Sequence, residues 1–235
     1  MPRRSRLVLS GIPVHVIQRG NNRGACFFAD GDHRFYLEWL EEYAHTCGCL
    51  VHAYVLMTNH VHLLVTPQSS DSVGALMKRL GQRYVQYVNR TYRRSGTLWE
   101  GRFRSCLARD AHYVLGCYRY IELNPVRACM VSHPAEYRWS SFRANGQGEH
   151  SSLLTPHAHY EAMGQGDRDR QTAYRELFRH ELDPGVIDEI RSATNGNYAL
   201  GNERFRKEVE AALGRRATRG RAGRPRKSPD AATWE

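Results

Sequence analysis

The sequence predicts an α+β fold, an antiparallel sheet with helices packed on it, and three observations carry that prediction. Short alternating or apolar runs at 13–18, 50–57, 60–67 and 102–108 have the length and content of strands. The stretches at 32–47 and about 71–94 repeat apolar residues at the helical period. The resulting order, β-α-β-β-α-β-α, suits a ferredoxin-like arrangement.

The first strand is PVHVIQ, closed by the turn-rich GNNRG. The first helix follows from Tyr36, Leu40, Tyr43, Ala44 and Cys47, and Gly48 is its expected stop. LVHAYVLM and HVHLLVTP read as a hairpin broken at Thr58-Asn59. Ser70 or Asp71 is placed to cap the second helix, whose apolar stripe runs Val73, Leu76, Met77, Leu80, Tyr84, Tyr87 and Val88. Its other face carries Lys78, Arg79, Arg83, Arg90, Arg93 and Arg94. After the fourth strand, Asp110 caps a helix that ends before Asn124-Pro125, because proline disfavours helix at the residue before it. Residues 1–150 form the main domain on this reading. Residues 151–170, rich in Gly, Ser, His and Asp, read as a linker, and 171–214 as a small helical domain. Residues 215–235 are a basic tail, expected to be disordered when free.

The chain has 235 residues, with 34 Lys and Arg against 24 Asp and Glu, a formal net charge of +10. Such a balance favours polyanionic partners, nucleic acid first. Residues 215–227 hold seven of those basic side chains and no acid, so subtracting seven from +10 leaves only +3 for the rest. The charge thus says more about the tail than about the body. Six cysteines lie scattered, and Cys47-Gly-Cys49 has the wrong spacing for a zinc knuckle, which points to free thiols in a reducing cytoplasm. No run approaches the roughly 18 apolar residues of a membrane helix, and the basic N-terminus lacks a signal-peptide core. The expectation is a cytoplasmic, nucleoid-associated protein with no membrane partner.

Two constellations carry chemistry. Side chains alternate across a strand, so His60 and His62 share one face while Val61, Leu63 and Val65 take the other. Two imidazoles on one face can hold a divalent ion if further ligands arrive, or they are two satisfied polar side chains. The second constellation is YIELNP at 120–125. On a helix Tyr120 and Asn124 share a face, and Gly116 would leave it open above the tyrosine. For an isolated Tyr-x-x-x-Asn, an amphipathic helix whose tyrosine packs on the sheet, with Asn124 ending it before the proline, is the better reading. Tyr118 would point well away, into the core, and Tyr113 lies nearly two turns earlier.

The HVH triplet, LWEGRFRS at 98–105, RYIELNPVRACMV at 119–131 and WSSFRA at 139–144 occur together in this order. Over about residues 8–145 the pattern resembles the single-tyrosine HUH transposases of bacterial insertion sequences, and most of all their REP-associated tyrosine transposases. The resemblance implies that His60 and His62, with Asn124, bind Mg²⁺ or Mn²⁺, and that Tyr120 is the nucleophile. A phenol, with a pKa near 10, is a poor nucleophile unless assisted. A divalent ion on the scissile phosphate supplies that assistance. The implied reaction is nicking and strand transfer through a 5′-phosphotyrosine link. The implied partner is single-stranded DNA, often hairpin-forming. A monomer and a homodimer with a composite site both fit.

A catalytically silent hairpin-binding or regulatory protein is the alternative reading. A replication initiator or relaxase fits less well, since neither a third histidine nor a paired tyrosine stands where expected. Arg19 and Arg23 flank the first turn, and Arg102 and Arg104 flank Phe103, so all four are candidate DNA contacts. In the tail, Gly223-Arg224-Pro225-Arg226 resembles an AT-hook core, with Arg224 and Arg226 placed for a minor groove. A generic basic tail giving salt-sensitive affinity is the other reading. Trp99 reads as core.

Overall fold

The computed structural model describes residues 5–219; Arg224 and Arg226 lie outside the described residues. A five-stranded sheet in the order β2-β3-β1-β4-β5 is built from β1 (Val14–Arg19), β2 (Cys49–Met57), β3 (His60–Pro67), β4 (Arg104–Ala108) and β5 (Ala199–Leu200). The first four strands pair antiparallel, as expected, while β5 adds in parallel to β4 and makes the sheet mixed.

Helices α1 (Asp30–Cys47) and α2 (Ser72–Thr91) cover one face. The α1 stop is Gly48 at φ 65°, a left-handed conformation that glycine adopts without penalty. The α2 stripe is buried at Val73, Leu76, Met77, Leu80, Tyr84 and Val88. Under these helices lie Val14 and Val16 of β1 and Val61, Leu63 and Val65 of β3. Neither Ser70 nor Asp71 makes the cap: Asp71 holds the N-cap position without a side-chain bond, and the Ser72 hydroxyl accepts from Ser69 N instead.

The opposite face is covered by α3 (Ala111–Glu122), the single turn α4 (Asn124–Arg127), α5 (Phe142–Gln147), α6 (Ala158–Glu161), α7 (Asp167–Glu176) and α8 (Pro184–Gly196). Helix α9 (Glu203–Leu213) packs through Phe205 and Val209 into the α1/α2 core. Asp110 stands at the N-cap of α3 but makes no capping bond; its carboxylate accepts from Asn202 Nδ2 at 3.4 Å. The segment 171–214 shares the main cores. Tyr174, Ile190, Ala193 and Leu200 are buried with Val55, Leu64, Tyr118 and Ile121. Within the stretch 151–170, Thr155 N donates to Val51 O of the edge strand β2 at 2.7 Å, and Tyr160 of α6 is buried in the core beneath α3. Among the described residues, no helix is long and apolar enough to cross a membrane.

Gly116 does not leave an open face. A Cβ there would stand 3.4 Å from Val186 Cγ1 and 3.9 Å from Ile190 Cδ1, so α8 packs directly over the glycine.

Candidate active site

The β1/β3 register decides which side chains meet. Arg19 lies opposite His60 and Ile17 opposite His62, so His15, Ile17 and Arg19 project from the same face as the two histidines. Helix α3 crosses that face and brings Tyr120 edge-on to His62, ring centroids 5.6 Å apart. His60 and His62 stand 5.0 Å apart with rings nearly perpendicular. Leu123 stays helical between α3 and α4, so Asn124 follows Tyr120 round the same side and lines one cavity with it and His60. The chain turns on through Pro125 because a proline at the start of a helix needs no backbone N–H.

These residues enclose a cavity of about 270 Å³, whose wall also includes Arg127, Arg191, Thr194 and Asn195. The structure therefore gathers His60, His62, Tyr120, Asn124 and Arg19 in one place. Arg104 lies beside that cavity and donates to Asn195 Oδ1 at 2.9 Å. Arg102 lines the adjoining surface with Glu100 and Gly101, and Arg23 is exposed in the turn after β1. Phe103 is buried under the Arg6 guanidinium, 3.5 Å from its ring centre, so it offers no open platform for a base. Trp99 is buried in the α1/α2 core. Tyr118 is fully buried and stacks on Tyr160, away from the cavity.

Arg127 completes the site. Its guanidinium lies 4.3 Å over the Tyr120 ring and its Nη2 donates to Tyr120 O at 2.7 Å. Its Nη1 is buried with no hydrogen-bond partner among the described residues. Burial lowers the basicity of Arg127, and the adjacent Tyr120 side chain restores part of it. The spacing held the signal: Tyr120, Asn124 and Arg127 stand at i, i+4 and i+7, one face of a helix that continues past the proline. His15, Thr194 and Asn195 came from segments whose pairing the sequence did not reveal.

The imidazoles are held neutral. Burial first, then the Arg19 cation, pulls His60 down to about 4, and burial with the neighbouring His15 pulls His62 well below its ordinary range. Burial and the Arg127 charge take His15 to about 3. Lone pairs are thus available to a metal throughout the neutral range.

The donor set fits a divalent ion. Asn59 Nδ2 donates to Arg23 O at 3.0 Å, which turns its Oδ1 toward His60 Nδ1 at 2.6 Å. A carbonyl oxygen only accepts, so His60 carries its proton on Nδ1 and keeps a lone pair on Nε2. Among the described residues no three His, Cys, Asp or Glu converge as a metal cluster. The cavity wall adds the Asn124 amide to the two imidazoles. Two imidazoles and one amide suit Mn²⁺ at least as well as the harder, oxygen-preferring Mg²⁺.

Residues 8–124 match the family described as "Transposase IS200 like". No curated protein matches the chain. Among solved structures, the chain is similar to one described as a REP-associated tyrosine transposase bound to a REP hairpin. That match has 15% identity and a TM-score of 0.55, over 67% of this chain and 93% of the other. At that identity the likeness concerns the fold. A putative transposase from Deinococcus radiodurans R1 matches at 23% identity over 44% of this chain and 84% of the other, with a TM-score of 0.35.

Proposed function

The chain belongs, through residues 8–124, to the IS200-like transposases, and from that premise we propose that it nicks and rejoins single-stranded DNA through a 5′-phosphotyrosine link on Tyr120. The observation that carries the reading is Tyr120 itself, set between the His60–His62 pair and the half-buried Arg127 cation in one cavity.

In this reaction the Tyr120 oxygen attacks phosphorus, the bond to the 3′-oxygen breaks, the phenol loses its proton and the departing 3′-oxygen gains one. The phosphodiester's energy is kept in the tyrosyl link, so a free 3′-hydroxyl can reverse the step on another 5′ end without a nucleotide cofactor. Tyr120 enters from a helix packed on the sheet, which fixes the ring and limits its approach to one direction. Arg127 puts a fixed positive charge over the ring of the phenol that develops negative charge. Arg19 and Arg191 extend that charge along the cavity wall, where phosphate oxygens would sit. An ion such as Mg²⁺ or Mn²⁺ on His60, His62 and Asn124 would polarise the scissile phosphate.

The substrate proposed is a single strand that folds into a hairpin. The described surface beside the cavity, with Arg6, Arg102 and Arg104, suits a phosphate backbone leaving the site. Arg224 and Arg226 would add salt-sensitive attraction from the tail. The alternative, a silent DNA-binding protein, gives no reason for four polar groups to converge on a buried phenol.

The test is a denaturing gel with hairpin-bearing oligonucleotides, with and without Mn²⁺. A covalent protein–DNA band is expected only with metal, and His62→Ala should reduce it by 10²-fold or more. DNA binding without any covalent band under these conditions would favour the silent reading. Undiminished cleavage by His62→Ala would remove His62 from the site.

A further inference from the structure

We propose that His15 and Thr194 are positioning residues that hold His62 in the ring tautomer whose Nε2 lone pair is free for the cavity. The proposal rests on the reading of His62 as a metal ligand.

The directions of four hydrogen bonds give the assignment. Thr194 Oγ1 donates its only proton to Ile190 O, 2.7 Å away within α8. Toward His15 Nδ1, 3.0 Å away, the hydroxyl can therefore only accept, and His15 carries its ring proton on Nδ1. A neutral imidazole has no second proton, so His15 Nε2 accepts. Its partner is His62 Nδ1 at 2.8 Å, which must donate. The His62 proton is then on Nδ1, and its Nε2 keeps the lone pair. Cys106 Sγ, 3.2 Å from Thr194 Oγ1, completes the set as a thiol donor to the hydroxyl's second lone pair.

The relay thus runs from a backbone carbonyl of α8 through Thr194 and the His15 ring to His62 of β3, the two imidazoles 5.0 Å apart and 11° from parallel. All of its groups are buried: His15 and His62 are 1% and 2% exposed, and Thr194 4%. Each group's hydrogen bond fixes the next one's proton, so a broken link propagates. Without the Thr194 acceptor, His15 can move its proton to Nε2. His62 would then accept on Nδ1 and carry its own proton on Nε2, where a metal would bind. Metal-ligating histidines commonly have their second nitrogen fixed by such a partner. Here the partner's anchor is 70 residues beyond the stretch that matches the family, which makes α8 part of the active site.

The experiment has two arms. In the first, long-range ¹H–¹⁵N correlation spectra of the metal-free protein should show His15 and His62 both protonated on Nδ1. His62 protonated on Nε2 overturns the relay whatever the enzyme does. In the second, Mn²⁺ affinity without DNA is measured by titration calorimetry. Thr194→Val keeps the shape and removes the hydroxyl, and should weaken Mn²⁺ binding by about 10- to 100-fold, while Thr194→Ser should restore it. Weakening by His62→Ala but not by a folded Thr194→Val overturns the relay alone. Weakening by neither overturns the metal site on which it rests.

Discussion

Arg127 sets a half-buried cation against the face of the Tyr120 ring, 4.3 Å from its centre, with its Nη1 unpartnered among the described residues. Removing a preorganised group of this kind costs about 10²–10³ in rate. Arg127→Ala should therefore slow single-turnover adduct formation by roughly that factor at saturating DNA, and Arg127→Lys should recover only part, since an ammonium lacks the planar fork. A rate within threefold of wild type for Arg127→Ala would place the cation outside the chemistry. Much of the residue-level site was readable in advance. Strand alternation put His60 and His62 on one face, and helical spacing joined Tyr120 to Asn124. Arg127 escaped because the helix was ended at Asn124-Pro125, whereas the chain starts a new turn on the same side. His15 escaped because nothing local tells which strand lies beside His62.

Helix α8 is the element that closes the cavity, and its approach depends on Gly116 of α3. Val186 and Ile190 fill the space over that glycine. Gly116→Ala adds a methyl at ordinary contact distance and improves helix propensity by up to about 1 kcal/mol, so urea unfolding should show equal or greater stability. Gly116→Leu overpacks the α3/α8 contact and should cost about 1–3 kcal/mol. It should also slow adduct formation, because Thr194 and Asn195 ride on α8. A Leu variant with unchanged stability and rate would show that α8 gives way freely. The sheet and the helices α1 to α3 were legible from periodicity. The place of α8 and β5 was not, because short helices carry their packing partners in the tertiary structure rather than in their own pattern. The expected small helical domain at 171–214 shares the sheet's cores for that reason, and a two-residue strand such as Ala199–Leu200 has no sequence signature at all.

Over the whole molecule, burial of titrating groups makes stability depend on pH in two opposing ways. Six histidines, His15, His33, His52, His60, His62 and His157, have folded-state pKa values lowered mainly by burial. Between their ordinary value near 6.5 and their lowered ones, about 4 for His60 and His157, the unfolded chain binds protons that the folded chain refuses. Their contribution is intact above pH 6.5 and is lost as pH falls toward 4. Glu122 acts oppositely: burial raises it to about 7 despite bonds from Ser141, Tyr174 and Asn145. Its contribution is full below about 4.5 and is lost as pH rises to about 7, on the order of 3 kcal/mol. Six groups outweigh one, so Tm should fall from pH 7 to pH 5. Glu122→Gln should be more stable than wild type at pH 8, with the advantage vanishing near pH 4.5. An advantage that is greater at low pH would contradict the assignment. The same burial that shapes this profile encloses Tyr120, the one phenol proposed to carry the DNA. Trypsin cuts after Arg119 and Arg127, so Tyr120 lies alone in the peptide 120–127, while Tyr113 and Tyr118 fall in 110–119. Mass spectrometry of a nuclease-trimmed, trypsin-digested adduct should find the residual nucleotide on peptide 120–127, with fragment ions placing it on Tyr120. A nucleotide found on peptide 110–119, or on any other tyrosine, would contradict that role for Tyr120.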